Sequence, residues 1–526
     1  MTRLTRGWAW SGIAMLVVAA TLSLGPADAF AQKKGGVVRI ANLGEPPTLD
    51  AHWTTATLTE VLTNHLYESL YALDEGYRPI PMLADGMPTV SADGLTYSIK
   101  LRQGIKFHNG KEMTSDDVVP SLKRWMQQGQ YGKALAAVTA DVRATGKYAI
   151  ELKLKQKYAA VEVCLAAPNN FAAIYPKEIA EKFPPAEKVT EFVGTGPYKL
   201  AEWKPDQHIR MVRFDDYKSL PGKANGYGGG KTVWVDEIRW IPVPEVATRV
   251  AQMETGELEF ADDLNIDAFD RLQKSANARP VVAKPYYWLV AVLNKKEGLM
   301  TNQKLRQAWQ AAIDIEPIMK AVAGGRSEFY RMGEAGLAFV ENAPWYVKTN
   351  PAWGWNERNK DKAKKLMQEA GYKGEPIRFV TTQEYKWMYD FALVTKQQLE
   401  DVGFNIDLQV VDWATLVKRR NNPKEYEAFT TGTGNIFEPT AYTVLSCTWP
   451  GWTCDADIQG LMLDMAKETD PKKRFALWEQ MHKLWYEKVP SIRYGDLHGL
   501  RAASKKLQGF NEKTERPRFY NIWLDR

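Results

Sequence analysis

Between residues 361 and 410 the chain changes its hydrophobic period three times. A helical pattern from Asp361 to Ala370 stops at Gly371-Tyr372, and Ile377 to Thr381 then reads as a short apolar strand. A second helical pattern, Asp390 to Val402, is closed by Gly403 and followed by a strand from Ile406 to Val410. Strands that alternate with helices cannot be neighbours in a hairpin, so this stretch predicts an α/β fold with a largely parallel sheet flanked by helices.

Elsewhere the alternation is of strand with strand. Gly194, Gly196 and Pro197 mark a turn, after which Tyr198 and Leu200 alternate with polar neighbours. Beyond the polar break at Lys204 to Gln207, Ile209 and Met211 flank Arg210, and Val212 and Phe214 flank Arg213, which predicts a two-stranded hairpin on a large sheet. Leu95, Tyr97, Ile99 and Leu101 form a half-buried strand entered through Asp93-Gly94. Thr114 is a helix cap with Asp116 and Asp117 in the first turn, and Pro120 should kink that helix or shift its start. Further helices are expected over Leu58 to Leu73, Val246 to Thr255 (closed by Gly256) and Asp470 to Tyr486, with a strand over Tyr286 to Asn294.

The beginning of the chain places the protein. Arg3 and Arg6 precede an apolar run from Trp8 to Leu24, and Ala29-Phe30-Ala31 is a small-residue cleavage signature, so export with a cut after Ala31 is expected. The run is short for a membrane span and carries Ser11, Thr21 and Ser23. No Cys stands at the cut, which argues against lipid anchoring. Of 526 residues enough remain for about two to four domains. A formal charge of +6 on so long a chain is mild, and no Lys/Arg block marks a nucleic-acid surface. Cys447 and Cys454 bracket a Pro-Gly turn, and an exported protein can keep them oxidised, so a disulfide is expected there. Cys164, in an apolar run, reads as a buried free thiol.

Several chemistries find no support. Asn225 to Thr232 mimics a phosphate loop, but Asn225 replaces its first glycine and a strand follows where a helix is required. The six histidines lack metal-ligand spacing, and no nucleophile constellation is present. We therefore expect no enzyme activity, no metal and no cofactor.

One resemblance covers the chain from Gly35 to Arg526. Gly35-Gly36-Val37-Val38-Arg39, Glu45-Pro46-Pro47-Thr48-Leu49-Asp50, Ser91 to Tyr97, Leu101 to Gly110, Thr114 to Val118, Gly194-Thr195-Gly196-Pro197-Tyr198 and Leu305 to Asp314 closely follow motifs of the family 5 extracellular solute-binding proteins, receptors of ABC importers for peptides, dipeptides and nickel. The resemblance implies a two-lobe periplasmic binding-protein fold of the large type. Lobe I would comprise residues 32–73, 190–287 and 488–526, an accessory subdomain 74–189, and lobe II 288–487. It also implies a periplasmic monomer that closes over a small organic solute, a short peptide or peptide-like compound, and hands it to the transmembrane subunits of a permease. A sugar, opine, metal chelate or haem is the alternative ligand.

Thr431 to Pro439 aligns with the family's ligand-gripping element, whose first Asp holds a peptide's α-amino group. Here Gly432 and Asn435 stand where the family has Trp and Asp. An amide cannot give a buried ammonium a full negative charge, but it can both donate and accept. Gly432, Gly434 and Asn435 are therefore candidate ligand-binding residues, together with Trp53, Thr54, Tyr286, Trp288 and Trp413 as aromatic or hydroxyl wall.

Overall fold

The computed structural model describes residues 34–332, 336–512 and 514–525 of the chain. The export segment and the cut after Ala31 lie outside the described residues. Among the described residues no helix is long and apolar enough to cross a membrane.

Two long antiparallel strands, Ala278–Leu293 and Ser491–Ser504, form the axis of the molecule. They sit inside one 11-stranded sheet, and each half of the pair recruits different neighbours. The half around residues 278–283 and 499–504 extends through Phe260–Leu264, Val37–Asn42 and Glu237–Pro242 to the hairpin Tyr198–Lys204 and His208–Arg213. The other half extends through Ala428–Thr433 to Ile377–Thr381 and Ile406–Val410. The last three strands are parallel to one another, as the helix-strand alternation over 361–410 requires.

The axis is interrupted between the halves. Pairing shifts register between Ala283 and Tyr287 and again between Trp288 and Val290. Pro285 falls in the first shift, where no ladder hydrogen bond is asked of it. The expected strand over Tyr286 to Asn294 therefore begins earlier, at Ala278, because Pro285, which breaks its sequence pattern, is absorbed by the bulge.

Lobe II packs Gln303–Ala312, Lys360–Glu369, Lys386–Glu400 and Pro471–Lys488 around a core that includes Trp309, Phe379, Phe391 and Trp478. A separate four-stranded sheet, in the order Thr89–Val90, Thr96–Lys100, Ala149–Leu154, Thr139–Gly146, carries the helix Ser115–Gln128 and has its own core. The Thr114 side chain caps that helix and Asp117 answers in a capping box. The helix starts where the cap dictates and runs through Pro120. The cost is one hydrogen bond to the carbonyl of Asp116, an exposed residue that water can serve.

The helix expected over Leu58 to Leu73 is shorter, Thr57–Leu66, and Tyr71–Leu73 is instead a strand paired with Pro79–Pro81. Tyr71 and Leu73 are fully buried in the accessory core, which rewards an extended edge more than another helical turn. Arg124 of the Ser115–Gln128 helix reaches into lobe I, where its guanidinium holds Asp50 at 2.7 and 3.1 Å with both partners buried.

Candidate ligand-binding site

A cavity of about 640 Å³ opens where the three parts meet. Asp74 and Tyr77 line it from the start of the accessory part, Glu341 from lobe II, and Thr514, Glu515 and Arg518 from the C-terminal segment.

That segment has no regular structure and is fixed by side chains from elsewhere. Arg501 donates to the carbonyls of Thr514 at 3.2 Å and Glu515 at 2.6 Å. His65 Nε2 accepts from the Phe519 N–H at 2.9 Å, and Tyr198 Oη donates to the Phe519 carbonyl at 2.9 Å. The hairpin that opens with Tyr198 thus holds the strip of chain that lines the cavity.

The strip carries buried charge of both signs. Glu515 is 4 % exposed; its Oε1 faces Arg516 Nη2 at 3.3 Å, and its Oε2 has no hydrogen-bond partner. Arg516 also lies 3.7 Å from Glu60 Oε2 and over the Tyr287 ring at 5.6 Å. Burial raises the Glu60 carboxyl to about 7, against the opposing pull of Arg516. Arg516 is pulled down by desolvation, but Glu515, Tyr287, Glu60 and Tyr227 together outweigh that and hold its pKa well above the usual value. Arg518 donates to the Gly226 carbonyl and lies against the Tyr227 ring.

Against Glu515 and Tyr77, beside the cavity, lie the end of the strand Ala428–Thr433 and the loop after it. Trp288, on the long axial strand, donates from Nε1 to the Gly434 carbonyl at 3.1 Å. Asn435 Oδ1 accepts from Asn342 Nδ2 at 2.9 Å and from the Ile436 N–H at 3.0 Å. Trp345 Nε1 donates to the Phe437 carbonyl at 3.2 Å, and Phe437 meets Tyr77 of the accessory part with ring centres 5.9 Å apart. Two glycines in this strand end are sites of close approach. A Cβ at position 432 would stand 2.7 Å from the Trp387 ring, and one at 434 would stand 2.9 Å from Glu515 Oε1. Glu438, one turn on, is buried, paired with Arg474 and occupied in capping Thr440, which gives it a structural task.

The residues singled out from sequence are distributed as follows. Gly432, Gly434 and Asn435 come together with Tyr77, Trp387 and Glu515. Trp288 is fully buried beneath this loop and supports it from behind. Tyr286 lines a second, smaller cavity of about 180 Å³ together with Asp263 and Trp387, its hydroxyl 3.3 Å from Asp263 Oδ1. Trp413 packs edge-on against Tyr385 at 5.2 Å, with Arg420 over its face at 5.7 Å. Trp53 lies under Lys188 at 5.7 Å, and Thr54 Oγ1 accepts from the Ala56 N–H at 3.1 Å. Of the residues expected from sequence Tyr286 alone lines either cavity; Trp53, Thr54, Trp288, Trp413, Gly432, Gly434 and Asn435 line neither.

The sequence reading missed Glu60, Tyr77, Glu341, Glu515, Arg516 and Arg518. One signal was available: Thr514-Glu515-Arg516-Pro517-Arg518 sets alternating charge just before the apolar tail Phe519 to Leu524. Cys447 and Cys454 are joined, Cys164 is buried beside Tyr158, and among the described residues no group of His, Cys, Asp or Glu is arranged to hold a metal ion.

Comparison with known proteins gives a consistent picture. Residues 78–452 match the model of the bacterial extracellular solute-binding proteins, family 5. A probable peptide ABC transporter periplasmic-binding protein of Sinorhizobium fredii is 27% identical over 477 residues, 88% of each chain. The oligopeptide-binding protein AppA of Bacillus subtilis is 28% identical over 534 residues, covering 94% of this chain and 92% of AppA. The structure of AppA in complex with a nonapeptide superposes with a TM-score of 0.77 at 25% identity, covering 94% of this chain and all of that one.

Proposed function

The chain belongs to the family 5 bacterial extracellular solute-binding proteins, and from that premise we propose that it is the substrate-binding protein of an ABC import system whose ligand is a short peptide or peptide-like solute. The observation that carries this reading is the cavity at the meeting of the three parts, walled by a buried carboxylate and a buried guanidinium from one strip of chain. Its volume of about 640 Å³ is in the range of small-molecule sites, roughly 300–1,000 Å³. A wall of both signs suits a zwitterion. The names of the relatives, a probable peptide receptor and an oligopeptide receptor, support the same ligand class.

In mechanism the protein is a pair of jaws: residues 32–73, 190–287 and 488–526 with the accessory part 74–189 on one side, 288–487 on the other. The register shifts beside Tyr287 are the place where the axial strands can bend. A ligand that touches Glu515 on one jaw and the Gly432–Asn435 wall on the other stabilises only the shut form, and the permease reads that form. The protein acts as a monomer in the periplasm after cleavage behind Ala31, as a transport receptor without cofactor. Asn435 supports a second reading, since its amide can serve hydroxyl- or amide-rich solutes such as opines and sugars.

A thermal-shift screen separates the two. A true ligand at about a hundred times its Kd should stabilise the protein by about 2.7 kcal/mol. Stabilisation by peptides and not by opines, oligosaccharides or nickel chelates is the expected result; the reverse pattern replaces the peptide reading with the second.

A further inference from the structure

Glu515 is out of place for a structural residue. Its carboxylate is buried, yet only Oε1 is served, by Arg516 at 3.3 Å, while Oε2 has neither a hydrogen bond nor solvent. Leaving a charged oxygen in that state is costly, and Arg516 opposes the cost only through Oε1. Arg516 is itself shared with Glu60, so it does not neutralise Glu515 alone.

The surroundings are arranged around that carboxylate. Position 434 is glycine, and any side chain there would run into Glu515 Oε1. The carboxylate consequently lies directly against the strand end that presents Asn435. On the cavity wall five carboxylates face two cations, Lys284 and Arg518. Arg331, Arg279 and Arg516 pair with Glu341, Glu512 and Glu515, which leaves Asp74 and Glu75 on the wall with Lys284 and Arg518. Tyr77, also on the wall, is raised by burial first and then by the charges of Glu515 and Glu341, with Arg518 opposing.

We infer that Glu515, reaching from the C-terminal strip of lobe I against Gly434, is the residue that recognises a ligand's ammonium group, the charge that Asn435 on the opposite jaw cannot match. The inference rests on the peptide-receptor reading and specifies it: the preferred ligand carries a free amine. Asn435 then contributes its neutral amide to the same end of the ligand, and Arg516 orients the Glu515 carboxylate through Oε1. The selectivity for an amine resides in a salt bridge that forms only when the jaws are shut, so it should appear in affinity.

The test is calorimetric titration of the mature full-length protein with a mixture of di- to penta-alanine and with the same mixture N-acetylated. The wild type should bind the free-amine mixture at least about tenfold more tightly, and Glu515→Gln should abolish that preference. Equal binding of both mixtures by the wild type, or a preference that survives in Glu515→Gln, overturns the inference and leaves the peptide receptor standing. Binding of neither mixture overturns both. Should Glu515→Gln not fold, a crystal structure of the wild type with trialanine decides: the ammonium nitrogen belongs within hydrogen-bond distance of Glu515, and an ammonium held elsewhere refutes the assignment.

Discussion

Trp288 Nε1 and the Gly434 carbonyl oxygen are 3.1 Å apart, a hydrogen bond that ties the axial strand shared by both lobes to the loop presenting Asn435. The indole is fully buried, so this donor has no water to fall back on. Whatever bends the axial strands near Tyr287 therefore also moves the loop that presents Asn435.

Trp288→Phe should separate these roles. Loss of the donor and part of the ring leaves a buried carbonyl unpaired and a small void, for a cost of about 1–3 kcal/mol in unfolding free energy. We expect a lower urea midpoint and an affinity weakened by about tenfold, since the Gly434 loop is no longer held. A variant that loses stability but binds as tightly as the wild type shows that the loop is positioned by other contacts.

Asn435→Asp keeps the acceptor that serves Asn342 and the Ile436 N–H and adds a charge. Binding of free-amine peptides should tighten, and N-acetylated peptides should gain nothing. No gain in titration with free-amine peptides would remove Asn435 from the ligand's amino end.

Arg124→Met breaks the bond between the accessory part and lobe I. Asp50 would be left buried and unpaired, and removal of one member of such a pair typically costs about 3–5 kcal/mol. The expected result is a large fall in the unfolding midpoint; a change under about 1 kcal/mol means that water or His52 replaces the guanidinium.

Four histidines set the response to acid. His65 and His482 each donate from Nδ1 to the carbonyl four residues back and accept at Nε2 from a distant backbone N–H, of Phe519 and Leu337. His108 accepts from the Gly194 N–H at Nδ1 and donates from Nε2 to Gly196, while His52 bonds the Ala173 carbonyl and Arg124. Burial lowers His52 and His65 to about 3 and His108 and His482 to about 4 from an ordinary 6.5. Below about pH 6.5 the unfolded chain binds protons at these sites and the folded chain does not, so stability falls with acidification, by up to about 1.4 kcal/mol per pH unit for each site. Urea midpoints at pH 7, 6 and 5 should decline in that order; constant midpoints contradict the neutral assignment.

Glu60 runs the other way. Its carboxyl, raised from 4.5 to about 7, binds its proton more readily in the folded state, so its contribution is complete below about 4.5 and is lost as pH rises through about 7. Glu60→Gln should therefore be the more stable protein at pH 8 and should lose stability more steeply than the wild type between pH 7 and 5. Parallel curves for the two proteins would show that Glu60 is ionised at neutral pH.

Much of the scaffold was legible because it depends on local patterns. The Tyr198–Arg213 hairpin, the parallel strands over 377–410 and the Thr114 cap each follow from spacing within a dozen residues. The helix expected to run through Leu73 ends at Leu66 because the burial of Tyr71 and Leu73 against a distant core overrides a helical pattern. Of the proposed site only one side was legible. Gly432, Gly434 and Asn435 lie in a recognisable element, whereas Glu515 and Arg516 read on paper as an ordinary solvated charge run.

By itself the sequence determined the fold class, the family and the amide at position 435, because alternation, turn chemistry and motif wording are properties of neighbouring residues. The tertiary structure alone decided that a carboxylate from residue 515 meets a glycine at 434. That contact joins two segments about eighty residues apart, and it is their burial against each other, which no local pattern encodes, that turns a surface-like charge into the group the ligand must answer.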